Sequence, residues 1–151
     1  GLAAGISTAV KGLSPTTDVY MAEPAACDDT RRSFAAGERI AVDPRSAEVA
    51  TFCDALTAPM PGELTFPINR RNVAAVVALD DESVCRGMYT GFADFKLVLE
   101  PSGAIALAAI VTGALAQVRS INDKTVIAVA SGGNVDPSVF TDALKRGAPR
   151  D

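Results

Sequence analysis

No histidine and no tryptophan occur among the 151 residues of this chain. The first absence removes Ser-His-Asp and Cys-His nucleophilic catalysis, and with them the usual histidine-bearing zinc sites. The second, with aromatic residues at only 5%, leaves little on which nucleic-acid bases can stack. Cysteine is scarce. Cys27, Cys53 and Cys85 form an odd set without a Cys-x-x-Cys pair, so a disulfide framework is not expected and a reducing, cytoplasmic setting is. Positive charge is short as well: the net charge is −4, and no basic cluster exceeds Arg31-Arg32 or Arg70-Arg71. A phosphate-backbone partner is therefore not expected. The longest uncharged apolar run, 101–118, is broken by Pro101, Gly103 and Gly113. It suits a buried helix better than a membrane span.

What remains is the composition of a folded domain. Hydrophobic residues reach 48% and charged residues 21%, which places the chain among globular proteins with a real core. Residues 1–151 read as a single domain. The opening, "GLAAGISTAVKG", lacks the basic n-region of a signal peptide. It begins directly on a helical pattern in which Leu2, Ile6, Ala9, Val10 and Leu13 share a face. We therefore expect the chain to be part of a longer polypeptide.

Periodicity and punctuation predict alternating elements. Helices are expected over 2–12, from Asp28-Asp29 to Gly37, at "FPINRR", over 80–96, over 102–117 and from Pro137 to Arg146. Strands are expected over 18–24, 74–80, 96–103 and 124–131, all short and apolar. Residues 43–65, with Pro44, Pro59, Pro61 and Gly62, read as an irregular loop. Such alternation predicts an α/β fold with a mostly parallel sheet and helices on both faces.

Four stretches stand out: "GLAAG", "EPAACDD", "EPSGA" and "SGGN". Ligands of parallel α/β sheets bind at the carboxyl ends of strands. Glu23, Glu100 and Ser131 each follow an expected strand, while Gly1-Leu2 opens a helix whose free N–H groups suit a phosphate. Each stretch also has a plain reading. Ser131-Gly132-Gly133 makes a good tight turn, Asp28-Asp29 a good helix cap, and the small residues of "GLAAG" a good packing face.

Taken together, "GLAAGISTAVKG", "EPAACDDTRRSFAAGERI", "PGELTFPINR", "KLVLEPSGAIALAA" and "VIAVASGGNVD" resemble the serine/threonine dehydratase and serine racemase family. These are pyridoxal-phosphate enzymes of fold type II, related to the tryptophan synthase β-subunit. The resemblance covers the C-terminal half of such an enzyme, the cofactor-binding part of its large domain. It implies that the N-terminal half, with the lysine that carries the cofactor, lies outside this chain. Lys11, Lys96, Lys124 and Lys145 match no such motif, so no catalytic residue is expected here and the chain alone should be inactive.

The resemblance also implies roles by position. Gly1 and Leu2 resemble the tail of the phosphate-cradling loop. Ser131 matches the serine that hydrogen-bonds the pyridine nitrogen, with Gly132 beside it. Glu100 resembles a glutamate near the cofactor, or else a buried acid capping a neighbouring helix. Glu23, the carbonyl of Cys27 and Asp29 match a divalent-cation site, and an all-oxygen set of this kind suits Mg²⁺, Mn²⁺ or Ca²⁺. Where the family often has Ala-Asp-Gly, this chain has Cys53-Asp54-Ala55, so Ala55 narrows the expected pocket. The implied activity is the conversion of a 3-hydroxy amino acid such as L-serine or L-threonine to a 2-keto acid and ammonia, with racemisation as a possible companion. The implied partners are that small substrate, the N-terminal half and a second copy in a homodimer. Two other readings compete: a non-catalytic or regulatory homologue that binds a partner or a divalent metal, and a nucleotide-binding domain. The second would require a complete glycine-rich loop after a first strand.

Overall fold

A computed structural model describes residues 1–43 and 50–149; part of the 43–65 loop expectation therefore lies outside the described residues. The elements are α1 (Leu2–Leu13), β1 (Tyr20–Pro24), α2 (Asp29–Ala36), α3 (Thr65–Asn72), β2 (Ala75–Leu79), α4 (Asp81–Ala93), α5 (Pro101–Val111), α6 (Ala114–Val118) and α7 (Pro137–Gly147). A 3₁₀ turn at Ala25–Cys27 follows β1, and another at Asp54–Leu56 lies in the loop before α3.

The architecture is α/β. β1 and β2 pair in parallel, in the register Tyr20 with Ala75 to Pro24 with Leu79. Parallel pairing demands a crossover, here supplied by α2 and α3. Val76 and Val77 are both buried. Successive strand residues point to opposite faces, so the sheet is covered on both. α2 packs on β2, and so do α5 and α6, with α5 also on β1.

One expectation fails. Residues 96–103 and 124–131 are not ladder strands: among the described residues the sheet has only β1 and β2. Residues 97–99 and 125–131 carry no assigned secondary structure, and Ile127 is 85% exposed. Their apolar composition marks them for burial, but a strand also needs a partner edge, which composition cannot supply. The C-terminal end of the expected 96–103 strand instead opens α5 at Pro101.

α5 is the centre of the core. Its apolar residues surround the helix, and seven of them or their small neighbours are buried, from Pro101 to Ala109. On one side Ile105 and Ala108 join Val77, Leu79, Val84 and Leu115. On another, Ala104 meets Cys85, Met88, Leu99 and Ala143. The expected single helix over 102–117 is divided: Gly113 adopts φ +76°, a left-handed conformation that glycine enters without a Cβ clash, and α6 restarts after it. α4 begins at Asp80, whose side chain accepts from the Ser83 N–H at 2.7 Å. α7 begins likewise at Asp136, which accepts from Ser138 N–H, with Pro137 in its first turn.

All three cysteines are free and buried. Burial pushes the Cys53 thiol up to about 12 and the Cys85 thiol up to about 11. The thiolate is the reactive form, so we expect neither to react with a disulfide reagent at pH 8 until the protein unfolds. Stoichiometric labelling of either in the native state would contradict this. Among the described residues, no helix is long and apolar enough to cross a membrane.

Candidate functional site

The residues at the start of α5 hold two loops. The Glu100 N–H donates to the carbonyl of Gly132 at 3.1 Å. Its Oε2 accepts from the Asn134 N–H at 3.1 Å. The Ser131 N–H donates to the carbonyl of Gly103 at 3.3 Å. On the other side, the Ala55 N–H is shared between Asp54 Oδ1 at 2.8 Å and the buried Ser102 Oγ at 3.2 Å. Glu100-Pro101-Ser102-Gly103 thus brings the Ser131 loop and the Ala55 turn to one place. A cleft of about 290 Å³ opens there, bordered by Phe52, Asp54, Glu100, Asn134 and Val139.

The glycines of this loop serve the protein's own packing. A Cβ at Gly132 would overlap Glu100 Oε1 and lie 2.7 Å from its Cδ, and one at Gly133 would meet the Val98 carbonyl. Ser131 differs from its neighbours. Its side chain is exposed, and among the described residues its hydroxyl has no hydrogen-bond partner. A fixed backbone carrying a free O–H suits a ligand acceptor such as a ring nitrogen.

Sequence reasoning overlooked the supports of the Ala55 turn. Thr51 Oγ1 donates to Asp81 Oδ1 at 2.6 Å, and the Phe52 N–H donates to Asp81 Oδ2 at 3.3 Å. Asp81 had been readable only as acidic decoration of a helix start, and Ser102 carried no signal beyond its place in "EPSGA".

A second cluster sits at the end of β1. Glu23, 5% exposed, accepts from the Arg31 N–H at 2.7 Å and the Thr30 N–H at 3.3 Å. It thereby does the work of an N-cap for α2, whose own N-cap residue, Asp28, makes no side-chain capping bond. Asp28 turns instead to two cations: it pairs with the Arg31 guanidinium, and its Oδ1 lies 2.5 Å from Arg32 Nε. The expectation that Asp28-Asp29 caps the helix is not met: α2 starts there, but its first-turn N–H groups are capped by Glu23 from the strand. Burial pushes Glu23 up to about 7, with Asp29 adding to the effect, and pushes Asp29 up to about 6. Neither forms an ion pair among the described residues. The Cys27 thiol faces the Ala58 carbonyl at 3.8 Å, leaving only its backbone oxygen as a candidate donor. No group of three or more acidic or thiol side chains is poised for a metal among the described residues, so any ion there draws on two carboxylates, a carbonyl and water.

Gly1 and Leu2 open α1, which packs on α3, and no hydrogen bond joins them to the Ser131 loop among the described residues. A larger hollow of about 460 Å³, bordered by Ala25, Ala26, Leu79 and Asp80, lies at the carboxyl ends of β1 and β2.

The family of pyridoxal-phosphate dependent enzymes matches over residues 1–132. Serine racemase of rice (Oryza sativa) is 34% identical over 145 residues, covering 95% of this chain and 41% of the relative. The chloroplastic biosynthetic threonine dehydratase of Arabidopsis thaliana is 33% identical over 136 residues, 90% of this chain and 22% of the relative. The structure of maize serine racemase superposes with a TM-score of 0.80 at 32% identity, over 96% of this chain and 44% of that one. The chain thus spans less than half the length of these relatives. It belongs to the family of pyridoxal-phosphate dependent enzymes, with the fold type II architecture of the serine racemases and threonine dehydratases.

Proposed function

We propose that this chain forms the cofactor-supporting part of a dehydratase that converts a 3-hydroxy amino acid, such as L-serine or L-threonine, to a 2-keto acid and ammonia. The carrying observation is the unpartnered Ser131 hydroxyl on a loop fixed to α5, in a chain of this family. Pyridoxal phosphate, when bound, supplies the electron sink that makes an α-proton labile. Ser131 would donate its O–H to the pyridine nitrogen. A neutral hydroxyl would not hold that nitrogen protonated as a carboxylate would, so the sink would be a mild one. Gly1 and Leu2 contribute main-chain N–H groups at the start of α1 for the phosphate. The turn at Ala55 forms the facing wall, closer by one methyl than a glycine would be.

The lysine that carries the cofactor is, in this reading, outside the 151 residues. In support, Lys11 Nζ is held by the carbonyls of Pro15 and Thr17, and Lys96 Nζ by that of Ala93. Lys124 and Lys145 are exposed on the surface. The remaining polypeptide of the enzyme covers the apolar segments that lack a sheet partner, whose Leu97, Val98, Ile127 and Val129 are exposed here.

Glu23, Asp29 and the Cys27 carbonyl are the proposed cation ligands. Two buried carboxylates without a counter-charge support this, because such groups are normally paired or coordinated. The hard oxygen set suits Mg²⁺, Mn²⁺ or Ca²⁺, and the ion serves the fold of the β1–α2 turn.

The test is Ser131→Ala in the complete enzyme. We expect keto-acid release from serine or threonine to fall by up to about tenfold, the worth of one neutral hydrogen bond, with little change in thermal stability. A wild-type rate would remove Ser131 from the reaction. The same assay scored for D-serine addresses a second reading, racemisation, which the serine racemases among the relatives favour.

A further inference from the structure

We propose that Glu100 is a positioning residue: it aims the Ser131 hydroxyl by gripping the backbone of the turn that follows, and Gly132 is what admits the grip. The inference rests on the functional reading above and assigns Glu100 a role through the loop rather than by touching the cofactor.

Glu100 binds this turn twice. Its main-chain N–H holds the Gly132 carbonyl and its carboxylate holds the Asn134 N–H, each at 3.1 Å. One residue thus spans both ends of a three-residue turn. Between these bonds, Oε1 occupies the place where a side chain on residue 132 would begin, and the three nearest neighbours of such a Cβ all belong to Glu100. Ser131 is tied from its other side by Gly103. The hydroxyl therefore projects from a backbone fixed before and after it, and the Glu100 carboxylate is the only side chain among these ties. A carboxylate accepting a backbone N–H makes a charge-assisted bond, stronger than one between neutral groups. Glu100 does not spend itself on its own helix: it is the N-cap residue of α5 yet makes no side-chain capping bond there.

The test uses the complete enzyme with pyridoxal phosphate as the probe, read by its dissociation constant, by the absorption maximum of the bound cofactor and by hydrogen exchange at the Asn134 amide. Glu100→Ala should weaken cofactor binding about tenfold, the value of a charge-assisted hydrogen bond, move the absorption maximum as Ser131→Ala does, and speed exchange at Asn134. Glu100→Gln keeps an acceptor oxygen but loses the charge, and should fall between wild type and Glu100→Ala on all three readouts. Gly132→Ala should behave like Glu100→Ala, because the new methyl expels the carboxylate. In a Glu100→Ala background the same methyl has room, so Gly132→Ala should add no further loss. If Gln disturbs the cofactor as much as Ala, the charge acts on the cofactor directly and the proposal falls. An undiminished Gly132→Ala penalty in the Glu100→Ala background would also overturn it, while leaving the functional reading intact. A wild-type enzyme that takes up no pyridoxal phosphate would sink both.

Discussion

Gly103→Ala should destabilise the enzyme by about 2–4 kcal/mol, the scale of a forced backbone shift in a packed interior. Helix propensity alone argues the opposite, since alanine inside a helix is favoured over glycine by about 1 kcal/mol. Geometry decides between them. A Cβ at Gly103 would overlap the carbonyl oxygen of Gly132 and lie 2.7 Å from its nitrogen. Both obstacles are main chain, so no rotamer change relieves them. Either α5 is driven against its core partners Val77, Leu79, Val84 and Leu115, or the Ser131–Asn134 turn is pushed off its bonds to Glu100 and Gly103. Denaturant unfolding of the complete enzyme measures the effect, and cofactor uptake should fall with it. A midpoint unchanged or raised would show that the close approach is not where the structure places it.

Glu23→Ala is expected to cost about 1–3 kcal/mol, the range for leaving buried backbone donors unsatisfied. It removes the acceptor for two first-turn N–H groups of α2, Thr30 and Arg31. Asp28 does not step in, because its oxygens face Arg31 and Arg32. The proposed cation site makes a separate prediction. Added Mg²⁺ or Mn²⁺ should raise the melting temperature of the wild-type enzyme by mass action, and the Glu23→Ala, Asp29→Ala double variant should lose the response entirely. Asp29→Ala alone leaves both capping bonds of Glu23 in place, so it isolates the ion from the helix cap. Melting that responds to the ion as before in the double variant would move the cation elsewhere.

The sequence made the helices legible where capping chemistry and periodicity coincide. Asp80 and Asp136 announce α4 and α7 through side-chain caps, and Gly37 ends α2 as expected. The break at Gly113 was present in the letters but hidden by an unbroken apolar pattern, since hydrophobicity does not report φ. β1 and β2 were found because both are apolar and pair with each other. The segments near 97 and 127 were apolar too, but sheet formation is a property of two edges and only one of them is written there. At the site, Ser131 and Glu100 could be singled out by their place after apolar runs. Ser102 and Asp81 could not, because the Ala55 turn they hold lies 47 and 26 positions away in the chain, and such separation leaves no local trace. The close approach of Glu100 and Val98 to Gly132 and Gly133 likewise joins residues about thirty positions apart and leaves no local trace.

Because α5 is enclosed by apolar side chains around its circumference, whatever is tethered to its first turn inherits the cooperativity of the interior. The amides of Ser131 and Asn134 are bonded to residues 103 and 100, so this surface turn is moored to a helix head that the interior holds in place. Opening it therefore costs more than opening a loop that touches only solvent. A rim moored in this way is ordered before anything arrives to occupy it.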